Sequence, residues 1–152
     1  MGIFSGFRNT WRKSQAAVVA ENLLQSQASV GLFDGDPHHA ANQLVEKVWE
    51  RRPHIFTGRF GRRPHKISVA AIAFAEAIER IEEDDENPGA MRLSFANCLG
   101  GILSELETNG RLYPLYGVDF LLLEEAVAVF KSFSEEVDNS PLAQEMEGHG
   151  LG

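Results

Sequence analysis

The sequence contains one cysteine, Cys98, among 152 residues. That excludes an internal disulfide and a multi-cysteine zinc site. No apolar run approaches the ~18 residues expected of a membrane span. The opening, Met1 to Lys13, is aromatic and basic and lacks the apolar stretch of a secretory signal. Gly6 stands where a myristoylation motif beginning at Gly2 requires Ser or Thr. Strand-like alternation of useful length is missing, and so is any repeat at solenoid period. Positive charge is scarce: 14 cations face 22 acids, for a net charge of −8. A chain this acidic is a poor general binder of nucleic acid, because phosphate affinity needs a positive field. These absences predict a cytoplasmic location and no bound cofactor.

What is present is a core. Hydrophobic residues make up 43% of the chain and charged residues 24%, the balance of an ordinary globular domain. One stretch organises the rest. From about Ile67 to Glu83, Ile67, Phe74, Ile78 and Ile81 form a stripe at helical spacing. Val69, Ile72 and five alanines continue apolar surface around most of the remaining circumference. A helix so apolar is usually buried on several sides. The expectation is an all-α, single-domain bundle of about five helices around this central helix, spanning 1–137, with a flexible tail at 138–152.

The other helices follow from stripes, caps and breakers. A first helix is expected over Phe7–Ser29, with Val18, Val19, Leu23 and Leu24 as its apolar side. Its aromatic and basic start, Phe4, Phe7, Arg8 and Trp11, reads as a cap on the bundle, or else as an interfacial or partner-binding arm. Asp36 is a good N-cap, Pro37 suits the first helical position, and Pro53 ends the second helix near Arg51. Asp34, Asp36, His38 and His39 lack the spacing of a calcium loop, so a polar helix start is preferred to a metal site. A fourth helix is expected over Ala90–Glu107. Its small residues Ala96, Gly100 and Gly101 invite close contact with Ala70, Ala73 and Ala77 of the central helix. Asn109–Gly110 stops it. The last helix, about 119–136, has apolar residues on more than one face. It is therefore either largely buried or free to form a homodimer.

One segment stands apart. Residues 51–66 hold Arg51, Arg52, Arg59, Arg62, Arg63 and Lys66 and no acid, a local +6 that leaves −14 on the rest. Arg-Arg-Pro-His occurs twice, at 51–54 and 62–65, around the glycine-hinged Thr57–Gly61. Phe56 and Phe60 add aromatic anchors, and His54 and His65 follow identical tripeptides. Arginine's planar fork suits carboxylates and phosphates, and Arg with aromatics is the composition of interface hot spots. Arg62, Arg63 and Lys66 also precede a helix N-terminus, where positive charge is unfavourable. Gly58-Arg59-Phe60-Gly61 matches the G-x-x-G pattern of KH domains, but the accompanying sheet has no candidate strands.

The expected function is that of a non-enzymatic protein-interaction module, an adaptor, regulator or inhibitor. It would bind another protein through Arg51, Arg52, His54, Phe56, Arg59, Phe60, Arg62, Arg63, His65 and Lys66. The alternative is an anionic ligand at the same residues: a nucleotide, a phosphorylated molecule or RNA. Catalysis by His54 and His65 lacks an orienting acid nearby in sequence. The competing structural expectation is that Glu105 and Glu107, returning on an antiparallel fourth helix, neutralise the arginines.

Overall fold

The structure is a computed structural model that describes residues 3–56, 63–81 and 88–139, with only the backbone for 3–12 and for Phe56. Five helices are described: α1 (Ile3–Ser29), α2 (Pro37–Arg51), α3 (Lys66–Arg80), α4 (Pro88–Asn109) and α5 (Gly117–Asp138). Single 3-10 turns lie at Pro53–Phe56 and Gly110–Leu112. No strand occurs among the described residues. The fold is the all-α bundle that the apolar periodicity predicts.

Helix α3 is the strut. Eleven of its fifteen residues are buried, including Phe74, Ile72 and Ile78. It packs against each of the other four helices. Its alanines let those neighbours approach, and its large residues fill the space between them. Phe74 meets Phe95 of α4 with ring centroids 6.1 Å apart, and Phe95 meets Phe33 at 6.5 Å. Leu24 from α1, Val45 and Val48 from α2, and Leu122 and Ala126 from α5 complete the core.

The helix ends follow local chemistry. Gly31 takes the left-handed conformation, φ 78°, just past α1. Its N–H donates to Ala28 O at 3.1 Å and the Leu32 N–H to Gln27 O at 2.8 Å, the paired bonds of a Schellman cap. Asp36 accepts from the His38 N–H at 3.1 Å and so caps α2, with Pro37 in the first turn. Helix α4 begins at Pro88, two residues before the expected Ala90. Proline has no N–H to leave unpaired there, and its φ is preset for the helix. The central helix stops at Arg80 rather than near Glu83. Ile81 has turned extended, at φ −68° and ψ 125°.

The two glycines of α4 do a different job from the one expected. A Cβ on Gly100 would lie 3.2 Å from the Phe130 ring of α5, and one on Gly101 would lie 3.7 Å from Leu23 of α1. The two glycines therefore admit side chains from α5 and α1 rather than the alanines of α3. Arg92 ties three helices at that end. Its Nε donates to Ile78 O at 3.2 Å, its Nη2 pairs with Glu136 at 3.0 Å, and its guanidinium lies 5.3 Å from the Phe133 ring centroid. Lys13 joins α1 to α2 through Glu46, 3.1 Å away, and the Trp49 ring, 4.7 Å from its centroid.

Candidate functional site

Helix α2 ends at Arg51 and α3 begins at Lys66, and of the segment between them the described residues Ile55 and Pro64 are buried against the bundle. The departing end is fastened by Arg52. Its Nε donates to Glu76 Oε1 of α3 at 2.6 Å, and its Nη2 to Glu125 Oε1 of α5, also at 2.6 Å. The fork geometry of arginine serves two carboxylates on two helices at once. Burial pushes the Glu76 carboxyl above its ordinary range, and the bonds from Arg52 oppose that shift. The hydrogen bond to Glu125 is the main cause raising Arg52, with desolvation working against it. Arg51 Nη1 lies 3.7 Å from Glu76 Oε2. Both atoms are buried without a hydrogen bond.

The returning end is fastened by Asp119, which is fully buried in the first turn of α5. Its Oδ1 accepts from the His65 backbone N–H and the Ser68 hydroxyl, both at 2.7 Å. Its Oδ2 accepts from the Tyr116 N–H at 2.9 Å. One carboxylate thus secures the start of α5 and ties it to the start of α3. The His65 ring caps α3, with Nδ1 accepting from the Ile67 N–H at 3.1 Å. Burial lowers the pKa of His65, and Asp119 partly offsets this. Tyr113 stands edge-on to that ring, 5.7 Å between centroids, and its hydroxyl donates to Glu105 at 3.0 Å.

These contacts sort the ten residues of the sequence reading. Arg51, Arg52 and His65 have structural partners within the bundle. The self-pairing of the basic segment is also real at its first arginines, but through other acids than the expected ones. Glu76 and Glu125 take Arg51 and Arg52, whereas Glu105 bonds Asn109 and Tyr113. Glu107 pairs with no arginine among the described residues. His54 is exposed, Arg63 half-buried and Lys66 exposed. Neither Arg63 nor Lys66 has an acid partner among the described residues. The Phe56 side chain, Arg59, Phe60 and Arg62 lie outside the described residues.

Sequence reasoning missed Glu76, Glu125 and Asp119. An acid within the most apolar helix of the chain was the available signal for Glu76, since a buried carboxylate needs a cation. Asp119, third in its helix after Tyr116, could have been noted as an N-terminal cap. Elsewhere, His38 pairs with Glu21, so the 34–39 cluster is divided between a helix cap and an interhelical contact. No cluster of three or more potential metal-ligating His, Cys, Asp or Glu side chains occurs among the described residues. Cys98 is buried, and desolvation pushes its thiol up to about 12.

Beyond Asp119 the surface turns apolar. Leu112 is 75% exposed, Phe120 59% and Leu121 69%, with Tyr116 also exposed. Leu122, Ala126 and Val129 occupy the opposite, buried side of α5. No helix among the described residues is long and apolar enough to cross a membrane. No family model matches the chain, and neither does a curated protein or a solved structure.

Proposed function

We propose that the protein is a non-enzymatic interaction module of the cytoplasm, which docks another protein through its basic-aromatic segment at 51–66. The observation carrying this reading is the double fastening of that segment. Arg52 anchors one end to α3 and α5, and Asp119 anchors the other. Residues between two rigid posts lose less freedom on binding than those of an untethered loop, which favours affinity. Arg63 and Lys66 carry charge with no acid among the described residues to neutralise it, and the sequence adds Arg59, Arg62, Phe56 and Phe60 between the posts. The complementary partner surface is acidic and has an apolar pocket for an aromatic ring.

A non-catalytic role is supported by the chemistry of the candidate nucleophile and base. The Cys98 thiol stays protonated at neutral pH. The His65 Nδ1 is engaged by a backbone N–H. A second copy of the chain is a further partner, joined through the exposed apolar face of α5 around Phe120 and Leu121.

The triple substitution Arg59→Ala, Arg62→Ala, Arg63→Ala tests the main reading. Affinity capture should lose a defined protein partner while the melting temperature shifts by less than about 2 °C. Nuclease should not affect that capture. Material released by nuclease, with steep weakening as salt rises, would instead identify the anionic-ligand alternative at the same segment.

A further inference from the structure

A second site lies away from the 51–66 segment. The 31–36 turn, α2, the C-terminal half of α3 and the start of α4 enclose a groove of about 650 Å³. That is within the range of small-molecule sites. The groove exists because its floor is made of small residues. Ala40 of α2 faces it, as do Ala73 and Ala77 of α3. Phe33, Met91 and Phe95 provide an apolar wall. The Ser94 hydroxyl donates to Leu32 O and holds the 31–36 turn against α4, so the wall is braced.

Its two ends differ in charge. Lys47 and Arg51 are one turn apart on α2, and Arg80 is one turn from Glu76 on α3. Glu76 is the one acid among the described residues lining this end of the groove, and Arg52 already holds it at 2.6 Å. Arg51 is left with a contact of 3.7 Å and an Nη1 that makes no hydrogen bond, while its side chain keeps 27% exposure. Lys47 and Arg80 are exposed and form no ion pair among the described residues. The remaining charged lining residues, Asp34 and Asp36, stand beside His39 near the start of α2. From Asp36 to Arg51 the helix rises about 22 Å, so those acids do not neutralise the cationic end.

We propose that this groove binds a small organic anion. Its carboxylate or phosphate sits among Lys47, Arg80 and the exposed part of Arg51, and its flat apolar body lies over Ala40 and Ala77 against Phe33 and Met91. The body covers apolar lining that the described side chains leave partly exposed.

Titration calorimetry with 2-naphthoate, 2-naphthyl phosphate and neutral 2-naphthol tests the site on the full chain. One or both anions should bind with a Kd below about 1 mM, at least about tenfold tighter than naphthol. The tighter anion identifies the head group. Lys47→Ala with Arg80→Ala removes two exposed cations and should weaken the anion about tenfold or more with unchanged helical circular dichroism. Ala77→Leu, which fills the floor, should weaken all three probes. The Arg59, Arg62, Arg63 triple variant should bind like wild type. Equal binding of naphthol, full affinity in the Lys47/Arg80 variant, or no binding below about 1 mM overturns the proposal. So does a signal lost in Phe120→Asp/Leu121→Asp rather than in the groove variants.

Discussion

At the residue scale the molecule depends on a few buried polar groups that hold long-range connections. Arg52 is one. Its replacement by alanine leaves the Glu76 carboxylate nine-tenths buried beside an Arg51 that does not hydrogen-bond it. Removing one partner of a buried pair costs about 3–5 kcal/mol, and the partial exposure of Arg52 puts this case at the lower end, about 3 kcal/mol. For a chain of this size that is a fall in melting temperature of about 6–12 °C. Calorimetry on Arg52→Ala should show it, in contrast to the loop triple variant. His65 makes a pH-dependent contribution. Its pKa is lowered in the folded state, so the stabilisation is complete above the ordinary histidine range. As pH falls the unfolded chain takes up the proton first, and the stabilisation is lost down through the folded-state pKa. Protonation of Nδ1 also removes the acceptor for the Ile67 N–H. The melting temperature should therefore drop more steeply below about pH 6.5 in wild type than in His65→Asn, which keeps a capping acceptor without the titration. Glu76 shifts in the opposite direction, and comparison with the variant separates the two.

At the scale of elements, the two glycines of α4 predict opposite responses to the same substitution. Alanine is favoured over glycine inside a helix by about 1 kcal/mol. At Gly101, which is exposed, the added methyl meets Leu23 at an ordinary 3.7 Å. Gly101→Ala should raise the melting temperature by about 2–4 °C. At Gly100 the methyl comes within 3.2 Å of the Phe130 ring, which must move, and the helix gain is offset. Gly100→Ala should be neutral or destabilising, and thermal denaturation of the two variants decides it. The sequence shows that this helix needs small residues. It does not show which neighbours they admit, because that depends on how α4 is rotated about its axis against α1 and α5.

At the scale of the whole molecule, α3 sits inside and α5 at the edge, with one apolar face covered and another exposed. If that outer face joins two copies, light scattering should report a dimer at both low and high salt. Phe120→Asp with Leu121→Asp should convert it to a monomer, since apolar burial is insensitive to screening while exposed ion pairs are not. A monomer under both salt conditions in wild type rules out the dimer. The all-helical class, the caps at Asp36 and Pro37, the stop at Asn109–Gly110 and the buried Cys98 were determined by the sequence alone. Periodicity, turn chemistry and side-chain polarity act over a few residues, so they can be read without knowing the packing. The partners of the basic segment were decided only by the tertiary structure. Arg52 meets Glu76 and Glu125 across 24 and 73 residues, and Asp119 meets His65 across 54. Charge counting offered many acids for these cations. Only the packing of α2, α3 and α5 selects which carboxylates come within hydrogen-bonding distance, and it is that same packing which leaves Arg51 facing a groove.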